Sequence, residues 1–427
     1  MKKIKNKWLK ALAIVILAIM GTSLIFPLII SLALNQKIQK VTQETNNFFQ
    51  KFPQNETNDT AKNLDIMLIS LGLLPVTNQN LRSEDRLQPE IENLINPITS
   101  FLETSLESVK INPQPLPEKL QNFLNQNQDQ IREIRDYILA SDQPTWNYPL
   151  TETFTDPINY QTPQLSGIFT LQKIFILDIL ANQDNPEEIN KTLEASLKLN
   201  QATQKQPGLV SQIVSIIVGQ YQAGIFRQVE NLNSQWQEKL AQYSYNYQQG
   251  ILDALYIEAI SIGSPFLLES SSNNLIFDWF GKPYLQLLSL DTGVRMKQAF
   301  NKLENQNICQ FDIEQVNQEL QQSGWWNLLG IPLPNFGNQW LKGGGVMLDW
   351  ELTGKVLEIR AIKEKTGQYP DRLSSLDSQV CPNQQWTYQK EDDQVTLNFS
   401  QKLDWKIPET EDNTLILPLT FVQNMLK

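Results

Sequence analysis

The chain of 427 residues contains no histidine. Histidine most readily moves a proton near neutral pH and is the commonest metal ligand, so Ser-His-Asp and Cys-His catalysis and histidine-ligated zinc are excluded. Cysteine is scarce as well. Cys309 and Cys381 are the whole complement and fit no Cys-x-x-Cys spacing. They form a candidate disulfide, which requires Cα atoms within about 7 Å and an oxidising compartment; two unconnected buried thiols are the alternative. Positive charge is also in deficit, with 35 Lys and Arg against 46 Asp and Glu. Five of the lysines (Lys2, Lys3, Lys5, Lys7 and Lys10) fall in the first ten residues, so the remainder carries −16 where the whole chain carries −11. Such a body repels polyanions at long range, and nucleic acid is not expected as a partner.

Several nucleophile and ligand patterns are missing too. No serine lies three residues before a lysine, and neither Ser264 nor Ser323 has the flanking glycines of a nucleophile elbow. Gly343-Gly344-Gly345 precedes a helical pattern and suggests an anion site, but Thr353-Gly354-Lys355 is followed by Val356, which breaks the phosphate-loop signature. The glycines therefore read as a flexible joint. The acidic groups Glu391-Asp392-Asp393 and Glu409-Thr410-Glu411-Asp412 lack the spacing of a calcium loop and read as solvated turns. No catalytic, cofactor-binding or metal-ligating residue is assigned. A hydrolase needing only two carboxylates could draw on Asp349, Glu351, Glu358 and Glu364, but Glu351 and Glu358 fall on the outward face of their helix.

What is present begins with an uncharged run of 24 residues from Ala11 to Leu34, directly after the lysines. As a helix it spans about 36 Å, enough for a hydrocarbon core of about 30 Å. The lysines keep the N-terminus cytoplasmic and send the rest of the chain across. The competing reading is a cleaved leader ending at Ser31-Leu32-Ala33, whose apolar part would be only about 7–15 residues. The length favours a retained single-pass anchor in the cell membrane with an extracytoplasmic body.

The expected fold is mainly α: one transmembrane helix, then a multi-helix body of αα-hairpins, then a small C-terminal β-hairpin. Residues 1–34 are the basic tip and anchor, and 35–140 are a helical region with a break at Asn96-Pro97. Within it Leu120, Phe123, Leu124, Ile131, Ile134 and Ile138 form one apolar stripe. Residues 141–165, with Pro144, Pro149, Pro157 and Pro163 among Trp146, Tyr148, Phe154 and Tyr160, read as a boundary loop. Residues 166–345 form a helical domain. Its first hundred residues are regular helices, one opened by Asp184-Asn185-Pro186-Glu187-Glu188. From 275 to 345 the chain is aromatic and irregular, with Phe277, Trp279, Phe280, Tyr284, Trp325, Trp326, Phe336 and Trp340. Residues 346–427 hold a last helix, Val346 to Lys365, stopped by Gly367-Gln368-Tyr369-Pro370. The pattern then changes to period two, with Trp386 and Tyr388 against Val395, Leu397 and Phe399; residues 414–422 are a candidate third strand.

The long helix, Gly367-x-Tyr369-Pro370, Leu373 and Leu376, then Cys381-Pro382 and Trp386-x-Tyr388, resemble the C-terminal portion of a loose group of uncharacterised exported, single-pass bacterial proteins. Gln206-Pro207-Gly208-Leu209-Val210 is similar to their central part. The same G-x-Y-P layout resembles the end of the major pseudopilins of type II secretion, although a prepilin cleavage site is missing here. The resemblance implies export and a helical body, and it carries no activity. The expected role is contact with another protein of the cell envelope, the bilayer itself being met through residues 11–34. A carboxylate-dependent glycan hydrolase and a lipid or small-ligand carrier are the alternatives.

Overall fold

The computed structural model describes residues 32, 34–52, 56–77, 87–110, 114–156, 161–230, 232, 235–264, 281–304, 306–312, 314, 318, 336–391, 394–401, 403 and 419–424. The run Ala11–Leu34 lies outside these residues except for Leu32 and Leu34. So do Phe277, Trp279, Phe280, Trp325, Trp326 and the acids at 409–412.

The described chain is mainly helical, with one small antiparallel sheet near its end. Helix α1 covers residues 34–49. It is followed by α2 (Asp59–Ser70), α3 (Pro89–Leu106), α4 (Glu118–Ala140), the short α5 (Leu150–Thr155), α6 (Ser166–Ala181), α7 (Pro186–Gln204) and α8 (Leu209–Gln228). A single turn, α9 (Trp236–Lys239), leads to α10 (Tyr247–Ile262), α11 (Lys282–Leu303) and the long α12 (Phe336–Thr366). Strands β1 (Trp386–Lys390), β2 (Gln394–Phe399) and β3 (Thr420–Asn424) pair in that order.

Local chemistry explains most of the helix ends. Asn58 and Asn185 cap α2 and α7 by accepting from the amides of Ala61 and Glu188. Gly367, at φ +74°, ends α12 with its amide donating to Lys363 O at 2.8 Å, a conformation that costs a residue with Cβ more. The stripe expected on α4 is its buried face, Leu120 to Ile138.

Three expectations change. Pro97 does not break α3; it sits inside a continuous helix. Proline has no N–H for the carbonyl four residues back, here Asn93 O, and Lys119 Nζ donates to that oxygen at 3.3 Å. The irregular stretch at 275–345 includes the 22-residue α11, whose polar surface and interior Gly293 hid the helical pattern. The joint at Gly343–Gly345 is buried helix, and α12 starts at Phe336, not Val346. A Cβ on Gly344 would come within 2.5 Å of Ile308, so glycine is what lets α12 lie that close. The candidate third strand is β3, at 420–424, and its Val422 amide also donates to Val109 O at 3.1 Å in a parallel bridge beside Lys110, beyond α3.

Two large apolar clusters hold the body. The first joins α2, α3, α4, α6, α7 and α8, from Ala61 to Trp236, together with Leu357 of α12. The proposed boundary segment 141–165 carries α5, and its Trp146 belongs to this cluster along with residues on both sides of it. The second joins α10, α11, α12 and the sheet with Ile216 of α8. Helices α6, α7 and α8 run antiparallel in succession: Gln172 pairs with Ser196, and Gln204 lies against Gln212. Among the described residues α8 is long and apolar enough to cross a membrane, but 78% of its apolar window is buried in the body, which accounts for its composition.

Candidate functional site

The four carboxylates of α12 have separate fates. Glu351 accepts from Ser378 Oγ at 2.8 Å and from the Gln379 amide at 2.9 Å, and Glu358 accepts from Ser374 Oγ at 2.6 Å. Both therefore anchor the loop that leads into β1. Asp349 is fully buried, on the turn of α12 that faces α8. Its carbonyl accepts from Arg227 Nη1 at 2.9 Å, and the same nitrogen lies 3.0 Å from Thr353 Oγ1. Burial lowers the Arg227 pKa, and the Asp349 carboxylate works against that shift. Glu364 is exposed. Two of the four thus latch a loop, one is sealed inside, and one faces water.

Cys309 and Cys381 have Cα atoms 5.7 Å apart although 72 positions separate them in sequence. Cys309 lies in a 3₁₀ turn after α11, and Cys381 lies between α12 and β1. Both are buried in the second cluster. The spacing is within the range that a disulfide spans without backbone movement.

Sequence reasoning missed a buried chain of amides and hydroxyls through the centre of the bundle. Gln172 of α6 donates to Ser196 O (3.0 Å), and the Ser196 hydroxyl donates back to Gln172 Oε1 (2.6 Å). Gln222 of α8 donates to Ser196 Oγ (2.8 Å), and Asn200 donates to Gln222 Oε1 (3.1 Å). Gln204 donates to Tyr247 Oη (3.1 Å), while Tyr245 donates to Gln212 Oε1 (2.9 Å). Burial drives the Tyr247 hydroxyl up to about 12 and moves that of Tyr245 upward too. Both therefore stay protonated at neutral pH, and the chain holds no group poised for acid–base work. What it does is fix helix register, because each amide has a partner in only one arrangement. The signal in the sequence was glutamine recurring in the otherwise apolar α8.

Charged groups also enter the core. Lys173 interrupts the apolar α6, donating to Thr99 Oγ1 at 2.7 Å with its ammonium 4.2 Å from the centre of the Phe169 ring. Burial lowers its pKa to about 8, with Glu103 opposing. Arg135 of α4 donates to Glu188 at 2.5 Å and holds that carboxyl low. Asp178 nearby is pushed up by burial, against a hydrogen bond from Thr192. Arg360 of α12 donates to the carbonyls of Phe226 (2.8 Å), Arg227 (2.6 Å) and Val229 (2.7 Å), closing the open end of α8. Each of these groups is consumed by a structural contact.

Two concavities among the described residues are small or one-sided. A gap of about 10 Å³ between α1, α10 and α11 is lined by Val41, Ala259, Gly263, Gly293, Val294 and Lys297, room for a water at most. A larger one, about 430 Å³, runs along α1 alone past Gln39, Gln43 and Asn46. Drug-sized ligands usually sit in apolar, walled clefts, and neither concavity is one. Among the described residues no three of His, Cys, Asp and Glu converge as a metal would need. No protein-family model, curated protein or solved structure matches the chain.

Proposed function

We propose that this is a single-pass membrane protein whose helical body lies outside the cytoplasm and works through contact with another protein of the bacterial cell envelope. The observation that carries the export half is the approach of Cys309 to Cys381, a pair suited to a compartment where disulfides persist. It is independent of the lysine-flanked run at 11–34, which supports the same topology. The contact half draws on Glu351, Glu358, Lys173, Arg135 and Arg360 being tied into structural contacts, and on the two concavities among the described residues, neither of which is a walled cleft. The hydrolase reading draws no support from Glu351 and Glu358, which are tied to a loop. The carrier reading draws none from the concavities along α1.

The test is a C-terminal reporter active only after export, combined with thiol alkylation before and after reduction. Activity of the reporter with both thiols protected until reduction supports the topology; an inactive reporter on a full-length chain whose thiols are both alkylated without reduction overturns it. Crosslinking in intact cells addresses the second half. A discrete adduct that disappears when surface charges on the body are changed supports a specific partner, and the absence of any protein adduct refutes it.

A further inference from the structure

Leu34, the last residue of the uncharged run, is helical and belongs to α1. The helix is firmly docked. The Phe48 ring lies 5.6 Å from Tyr256, Phe49 packs with Leu150, Phe154 and Ile260, and Val41 shares a gap with Ala259 and Gly263. Numbers that rise along α1 fall along α10, so these two helices are antiparallel. Helix α11 is antiparallel to α10 in turn: Ser289 Oγ donates to Ile262 O at 2.6 Å, a Cβ on Gly263 would meet Gly293 Cα at 2.9 Å, and Tyr256 stacks edge-on to Phe300 at 6.0 Å.

These pairings set heights along a common axis. Val41 and Gly293 line the same gap and stand level. At about 1.5 Å per residue, Val41 is about 10 Å beyond Leu34, while Lys282 is about 16 Å back from Gly293 toward the run. The first turns of α11 therefore reach the level of Leu34, or slightly past it. On the reading that residues 11–34 span the bilayer, on which this inference rests, that level is the boundary between hydrocarbon and head groups.

We infer that Lys282–Leu287 forms a second membrane contact, seated in the interfacial layer beside the anchor. Its chemistry suits that layer. Tyr284 is an interfacial residue, Leu285 and Leu287 supply apolar surface, and Lys282 can extend toward phosphate. The whole stretch is half-buried, and the buried residues of the helix begin at Leu288. Although the body is acidic overall, residues 281–290 hold one lysine and no acid, and residues 35–43 hold Lys37 and Lys40 and no acid. These two stretches are locally basic, and anionic head groups attract them. With an anchor and a side contact, the body stands at a fixed tilt.

The experiment uses the full chain in liposomes of mixed anionic and zwitterionic phospholipid, with an environment-sensitive fluorophore on one introduced cysteine and a quencher attached high on the acyl chain. Labels go at Ile16→Cys, at Leu285→Cys and separately Leu287→Cys, and at Glu304→Cys, which is about 28 Å along α11 from position 285. Far-ultraviolet circular dichroism confirms folding, and two positions guard against one variant failing. Loss of emission at 16 and at 285 or 287, with emission kept at 304, is the expected result. Loss at 16 with emission kept at both 285 and 287 overturns this contact and leaves the anchor standing. No loss at 16 overturns the anchor, and this inference with it.

Discussion

The helices up to Lys239 and the elements after it reach their cores by different routes. The first cluster is assembled from helices that follow one another, α6 against α7 and α7 against α8, with a polar chain locking their register. The second collects parts far apart in sequence, from Ile216 to Phe421, and secures them with the Cys309–Cys381 approach, the Arg360 cap and close packing at Gly263, Gly293 and Gly344. Local neighbours meet at low entropic cost, whereas distant ones need specific fasteners to offset loop closure.

This contrast can be broken most directly at the cysteines. Cys381→Ser should lower stability by about 4 kcal/mol on the chain-entropy account, seen as a lower urea midpoint. Amide exchange should accelerate in α11 and the sheet and stay slow in α6 and α7; equal loss in both would show one cooperative unit and end the comparison. Arg360→Met comes next, at about 3 kcal/mol, because three carbonyls lose a charged donor. Its effect should appear at the end of α8, where the two clusters meet.

In the first region, Gln222→Leu takes one buried hydrogen bond each from Asn200 and Ser196 and should cost about 2 kcal/mol. A neutral outcome by urea titration would remove the register role from the amide chain. Lys173 gives a pH signature. Its pKa falls from 10.5 to about 8 on folding, so the unfolded chain holds more protons in between. Stability attributable to this group is full above 10.5 and is lost as pH falls to about 8, at a slope of at most about 1.4 kcal/mol per pH unit. Relative to Lys173→Met, the natural chain should gain stability across that window. Parallel curves would mean the ammonium is not held in the core as described.

Much of the first region was legible because its helices are amphipathic with strong starts: the α4 stripe and the Asn185-Pro186 cap are readable from spacing alone. Helix α11 was not, since its buried face mixes Leu288, Met296, Phe300 and Leu303 with Ser289, Thr292 and Gly293, small residues that carry little hydropathy signal. Pro97 misled for a related reason, as the donor that rescues its helix, Lys119, lies on another element. The polar groups in the core were visible as isolated Gln, Lys and Arg in apolar helices, but their partners were not.

By itself the sequence determined that the body is helical with a C-terminal change to strand, that histidine chemistry is closed to it, and that a lysine-flanked apolar run heads the chain. Those properties follow from composition and periodicity, which each segment carries alone. The tertiary structure alone decided which carboxylates latch a loop, that Cys309 meets Cys381, and that α11 lies along α10 at Gly263 and Gly293. Each of these depends on the distance between residues far apart in the chain, and distance is set by packing and not by order.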